Sequence, residues 1–142
     1  MATTAQYTAQ PIIEGFSVAS TDTSRSAPST TTTLAAGPAT APAAGVGKRI
    51  LRVRVNEVNA IGAGTANVVR FWIAATSSGT KYLLTEKVVT AVTSSSTAAG
   101  FSFEVPELVG LVLSGHATTP ATLFASSHSA ATYHIVIESG LL

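Results

Sequence analysis

The sequence predicts an all-β protein, an antiparallel β-sandwich of about eight short strands in a jelly-roll-like arrangement. The first observation behind this prediction is that apolar and polar residues alternate with a period of two from residue 48 onward, as they do in half-buried strands. The second is that short clusters rich in glycine and serine interrupt the alternation, as turns do. Val, Ile and Thr are abundant throughout, and β-branched residues suit pleated surfaces.

The alternation predicts which side chains of the first two long strands face the core. In residues 48–58 the two faces carry Leu51, Val53 and Val55 on the inner side and Arg52, Arg54 and Asn56 on the outer side. In residues 68–74 they carry Val69, Phe71 and Ile73 inward and Arg70 and Trp72 outward. Both segments therefore resemble strands with one buried face.

The later strands follow at similar spacing. Residues 77–80 have the composition of a hairpin loop, and Pro106 is expected to end one strand. The remaining strands are predicted at residues 81–90, 101–105, 108–113, 121–125 and 133–138.

The composition changes near residue 47, which predicts two parts. Residues 1–46 are rich in Ala, Thr, Ser and Pro, and their prolines exclude a continuous helix. We interpret residues 1–46 as an extended N-terminal arm that reaches beyond its own domain, with residues 11–18 and 30–34 as its possible strands. Residues 47–142 are predicted to form the sandwich.

The low charge of the chain restricts its partners. Of its 142 residues, 11% are charged, against about 25% in typical proteins, and the formal net charge is +1. Such a chain has too weak a field to attract nucleic acid or an anionic membrane, so neither is expected as a partner. No apolar run approaches the ~20 residues of a membrane span, and the N-terminus does not resemble a secretory signal. A surface this neutral indicates that much of it is covered in use.

The sequence offers no recognisable catalytic pattern. There is no cysteine, the three histidines lack metal-ligand spacing, and no Gly-x-Ser-x-Gly motif is present. Asp22 is the only aspartate and lies in the predicted arm, while the glutamates are scattered. We therefore expect neither enzymatic activity nor a metal or cofactor.

Contact with other subunits is the expected role of the exposed arginine and apolar side chains, because arginine beside an aromatic is typical of protein interfaces. Trp72 is the foremost candidate, and the alternative is that it packs under the arm of its own chain. The residues predicted to contact other subunits are Pro11, Ile12, Ile13, Phe16, Thr32, Leu34, Arg52, Arg54, Arg70 and Trp72.

A resemblance to known proteins makes this role more specific. Residues 47–55, 66–73 and 79–89, followed by 111–115 and 133–140, resemble small virion proteins of tailed bacteriophages and prophages. The arm-plus-domain plan is similar to that of capsid decoration (cement) proteins, whose Ala/Thr/Pro-rich arms lie along the capsid lattice. The resemblance implies a homotrimer that is made in the host cytoplasm and binds the major capsid protein at the virion surface.

Two alternatives remain open from the sequence. One is a neck, tail or head-fibre component of the same particle. The other is a carbohydrate-binding β-sandwich for host attachment, in which Trp72, Tyr82 and Tyr133 are the candidate sugar-stacking aromatics and a glycan receptor is the partner.

Overall fold

The computed structural model describes residues 10–39, 47–59 and 64–142. Nine strands and one short 3-10 turn, at Pro106–Leu108, lie within them. The strands are β1 Gln10–Val18, β2 Thr32–Ala36, β3 Gly47–Glu57, β4 Asn67–Ala74, β5 Tyr82–Val89, β6 Ser102–Glu104, β7 Val112–Ser114, β8 Thr122–Ser127 and β9 Tyr133–Leu141. None of the described helical segments is long and apolar enough to cross a bilayer.

The strands form two antiparallel sheets. Sheet A has the order β1-β9-β3-β6, with β7 also paired to β3, and sheet B has the order β2-β8-β4-β5. Strands from the two ends of the chain pair in a nested series: β1 with β9, β2 with β8, β3 with β6 and β7, and β4 with β5. This ribbon of nested pairs, folded over into two sheets, is the topology of a jelly roll. The predicted fold class is therefore confirmed.

The core lies between the sheets and follows the predicted alternation, with one exception. Val53, Val55, Val69 and Phe71 are fully buried in the same apolar cluster, and Ile73 packs against it. Leu51 was predicted to join them but is 41% exposed. The register between β3 and β9 shifts between Ile50 and Arg52, so a bulge turns Leu51 outward and buries Ile50 in its place.

The strand predicted at residues 108–113 is also corrected. Pro106 begins a 3-10 turn that buries Leu108, and Gly110 then adopts a left-handed φ of 88°. Proline suits the first position of such a turn because it needs no backbone N–H donor there. The strand β7 therefore begins only at Val112.

The structure corrects the expectation that the N-terminal segment projects as an arm. Along its whole length β1 pairs with β9, and β2 pairs with β8. Val18 and Leu34 are buried in the shared core. These strands supply apolar side chains to the core and cover strand edges that would otherwise be unpaired. Residues 10–39 thus belong to the sandwich, while residues 1–9 and 40–46 of the predicted arm lie outside the described residues.

Candidate interaction face

The outer face of sheet B is buried where β4 crosses it. Trp72 points to this face, as predicted, but is fully buried rather than exposed. Its indole Nε1 donates to Ser126 Oγ at 3.2 Å, and its ring packs in a cluster with Phe124 and Leu83. The ammonium of Lys81 lies 4.9 Å from the centre of the Phe124 ring. A small cluster separate from the main core therefore holds Trp72 within its own chain.

Arg70, the other residue of β4 that was predicted to face outward, is buried by the segment that connects β1 to β2. Its Nη1 donates to the backbone carbonyl of Asp22 at 3.1 Å, and its Nε donates to Glu86 Oε2 at 3.1 Å. Arg70 Nη2 lies 3.3 Å from His128 Nδ1. Arg25 of the connecting segment pairs with the other oxygen of Glu86 at 2.7 Å. Burial opposes ionisation of Glu86, but these two arginines outweigh it and hold its pKa below the ordinary value.

Asp22 organises the connecting segment itself. Its carboxylate accepts hydrogen bonds from the backbone N–H groups of Thr30, Ser29 and Ser24, at 2.8, 2.6 and 2.8 Å. These bonds, that of Thr30 first, hold the pKa of Asp22 below its ordinary 3.8 although burial opposes them. The only aspartate of the chain thus closes a loop. Sequence reasoning missed this role, although aspartate among serine and threonine is typical of such loops.

The outer face of sheet A is different, because its side chains are exposed or half-buried. We call this surface the open face. Residues opposite one another on neighbouring strands form three rows across it: Ile13–Glu138–Arg52, Gly15–Val136–Arg54–Glu104, and Ser17–His134–Asn56–Ser102.

Charge on the open face is unevenly matched. Arg52 donates from Nε to Glu104 Oε1 at 2.8 Å, and its Nη1 lies 3.6 Å from Glu138. Both carboxylates of the three rows therefore face Arg52. Arg54 is exposed, and no residue of the described chain forms an ion pair with it. Within the three rows, the Arg54 guanidinium is therefore the one left without an ion pair in the described chain.

A shallow depression of about 280 Å³ lies on the open face at the edge strand β1. It is lined by residues of β1 and β9: Gly15, Phe16, Ser17, His134, Ile135 and Val136. Ile13, 75% exposed, stands beside it on the same face of β1. Sequence reasoning did not single out Gly15, His134 or Val136; the available signal was a glycine interrupting the alternation of residues 11–18.

The ten predicted contact residues separate into distinct groups. Exposed on or beside the open face are Pro11, Ile13, Arg52 and Arg54. Half-buried are Ile12, Phe16 and Thr32; the Thr32 hydroxyl is hydrogen-bonded to that of Ser20 at 2.6 Å. Buried are Leu34, Arg70 and Trp72, at 4%, 4% and 0% exposure. These last three serve the fold of their own chain, which corrects their assignment as contact residues.

The three histidines considered for metal binding are all exposed. His116 and His128 are in exposed loops, and His134 is exposed on β9. Within the part of the chain that the structure describes, no group of His, Asp and Glu is arranged to hold a metal ion. Lys48 pairs with Glu14 at 3.1 Å, and Lys87 pairs with Glu107.

The aromatics considered for sugar stacking are mostly inaccessible. Trp72 and Tyr133 are both 0% exposed, and of the three candidates only Tyr82, at 65%, reaches the surface. No known protein family matches this sequence, and neither the curated proteins nor the solved structures include a significant match to it.

Proposed function

We propose that this chain is a bacteriophage virion structural protein, a capsid decoration protein that binds the major capsid lattice through its open face. The observation that carries the proposal is the contrast between the two outer faces of the sandwich. On sheet B the chain buries Arg70 under its own connecting segment and buries Trp72 in a cluster with Phe124 and Leu83. On sheet A it leaves Ile13 and Arg54 exposed without a partner in the described chain.

The chemistry of the open face supports contact with protein. Arginine and large apolar side chains are the groups that contribute most at protein interfaces, and Arg54 is directly opposite Val136 in the sheet. The low overall charge makes burial of the surrounding surface inexpensive in desolvation. Jelly rolls occur in viral capsid proteins, but also in lectins and other proteins, so the fold alone does not assign the function.

The proposed binding surface is the open face and not a projecting N-terminal arm. Residues 11–18 and most of residues 30–34 are already paired along one edge within the domain, so they do not project as a free arm. We place the contact with the capsid on the open face instead. Repetition of one such contact over a symmetric lattice converts weak individual binding into stable attachment.

Copies of this chain are the second proposed partner, as a homotrimer at the virion surface. Three exposed apolar side chains of the edge strand β5 support self-association: Tyr82 at 65%, Leu84 at 40% and Val88 at 72% exposure. They lie on the other sheet, so self-association through them leaves the open face accessible. The mass of the purified protein in solution measures the number of copies.

Cryo-electron microscopy of the source particle, combined with binding of purified protein to capsids that lack it, tests the proposal. We expect density at regular positions of the capsid lattice, with sheet A toward the shell. Arg54→Ala is expected to weaken capsid binding tenfold or more, as loss of an interface arginine does. Arg25→Ala removes an equal charge from the other side of the molecule and serves as the matched control.

Location of the chain at the neck, the tail or a head fibre would instead support the alternative virion role. Equal loss of binding in both arginine variants would remove the open face from the proposal. Absence of the chain from every particle would overturn the proposed function altogether.

A further inference from the structure

Gly15 occupies an unusual position, the middle of the nine-residue strand β1. Glycine within a strand costs about 0.5–1 kcal/mol relative to alanine, so a local reason for it is expected. The usual reasons are a bulge, a left-handed φ or crowding at the missing Cβ. The register of β1 against β9 is continuous, and among the described glycines only Gly110 has a left-handed φ. A Cβ at Gly15 would meet no atom within 4 Å.

A comparison within the same chain makes the point sharper. At Gly37 an added Cβ would lie 2.0 Å from the backbone oxygen of Ser114, so the fold itself requires glycine there. Nothing within the described chain makes the same demand at Gly15. The remaining reason for glycine within a strand is the close approach of another molecule.

The depression at Gly15 has the form of a receptor for one side chain. Its volume is about 280 Å³ and it is open to solvent, whereas small-molecule pockets bury most of the surface of their ligand. Val136 contributes apolar surface, and Ser17 and His134 place polar atoms at one end. This lining suits an apolar side chain of a partner, whose backbone polar groups can then contact the polar atoms at that end.

Charge next to the depression specifies the partner further. Val136 pairs with Gly15 on one side and with Arg54 on the other, so β1 and β3 are separated by one intervening strand, about 10 Å. The two glutamates of the open face are engaged by Arg52. The Arg54 guanidinium therefore lies close to any partner that fills the depression. A residue of that partner only a few positions from the bound side chain can reach it.

We propose that Gly15 and Val136 form a notch that receives an apolar side chain of the major capsid protein, while a carboxylate close to that side chain pairs with Arg54. This inference rests on the proposed function for the source of the partner. It adds which residues form the contact and what chemistry the capsid must present. Gly15 lacks a side chain so that the partner can approach the sheet.

Gly15→Val tests the inference, because it fills the notch from a Cβ position that has no atom of the described chain within 4 Å. The variant is expected to unfold at the same or a higher denaturant concentration, since β-branched residues favour strands. Its binding to purified capsids is expected to fall tenfold or more. Thr33→Val, at an exposed position of β2 on the other sheet, is the matched control and is expected to bind normally. A folded Gly15→Val protein that binds capsids as wild type does would overturn the inference and leave the proposed function intact.

Selection from a library of random displayed peptides tests the same contact without capsids. A failure of the proposed notch can therefore be distinguished from a failure of the proposed function. Selection on the wild-type protein is expected to enrich peptides with an apolar residue near Asp or Glu. Their affinity should drop at least tenfold for both Gly15→Val and Arg54→Ala. If every enriched peptide binds Gly15→Val as tightly as it binds the wild-type protein, the notch is refuted. A change in the solution mass of Gly15→Val would mean that a second copy fills the notch, which also refutes the proposal.

Discussion

Arg70 offers the sharpest test of the closed face of sheet B, through the substitution Arg70→Met. Methionine retains much of the apolar stem but removes the hydrogen bonds to the Asp22 carbonyl and to Glu86. A bond between charged groups contributes about 1.5–3 kcal/mol, and a buried acceptor left without a donor costs about 1–3 kcal/mol. Glu86 is 32% exposed and keeps Arg25, so water and that arginine recover part of the loss. We expect the free energy of unfolding to fall by about 3 kcal/mol.

The matched control is Arg25→Ala, which removes the other arginine from the same carboxylate. Its side chain is 67% exposed against 5% for Arg70, so we expect a loss below about 1 kcal/mol. Urea denaturation measures both, and thermal unfolding of a chain this size should shift by roughly 10 °C for Arg70→Met. Equal losses for the two variants would refute the conclusion that burial, rather than the ion pair itself, makes Arg70 important.

Two further predictions concern the connecting segment and the joint between the sheets. The fold lowers the pKa of Asp22, so its carboxylate stabilises the protein above the unfolded pKa of about 3.8, and this stabilisation is lost as the pH falls through the folded pKa. The free energy of unfolding should therefore decrease less in acid for Asp22→Asn than for the wild type. Equal pH dependence of the two proteins would contradict this role of Asp22. Gly37→Ala places a Cβ 2.0 Å from the backbone oxygen of Ser114 and should lower the free energy of unfolding by more than about 2 kcal/mol. Gly15→Ala, where the Cβ meets no atom within 4 Å, should be neutral or slightly stabilising. Urea denaturation measures both variants, and an unchanged stability of Gly37→Ala would show that the backbone relaxes around the new Cβ.

The strand pattern was predictable because alternation is a local property. The positions of Val53, Val55, Val69 and Phe71 in the core follow from a period of two, whatever the strands pair with. Local reading failed at Leu51 because the bulge is set by pairing with residues of β9 that lie almost ninety positions later in the chain. It failed again at residues 108–113, where an apolar run hides a proline-initiated turn.

The candidate site was predictable only in part. Ile13, Arg52 and Arg54 were identified as exposed contact residues, and the topology places them on one face of sheet A. That Gly15 and His134 adjoin them depends on the pairing of β1 with β9, which joins the two ends of the chain. Because β1 and β9 lie at opposite ends of the chain, a short stretch of sequence cannot show that their residues are neighbours.

By itself the sequence determined the fold class, the orientation of most strand residues and the low charge, because each depends on residue type and short spacing. Only the tertiary structure decided which outward faces are covered. Arg70 and Trp72 point away from the core as their spacing requires, yet the segment between β1 and β2 covers Arg70, and Phe124 and Leu83 of neighbouring strands pack around Trp72. Whether an outward side chain meets water or protein depends on long-range packing, and alternation carries no information about that.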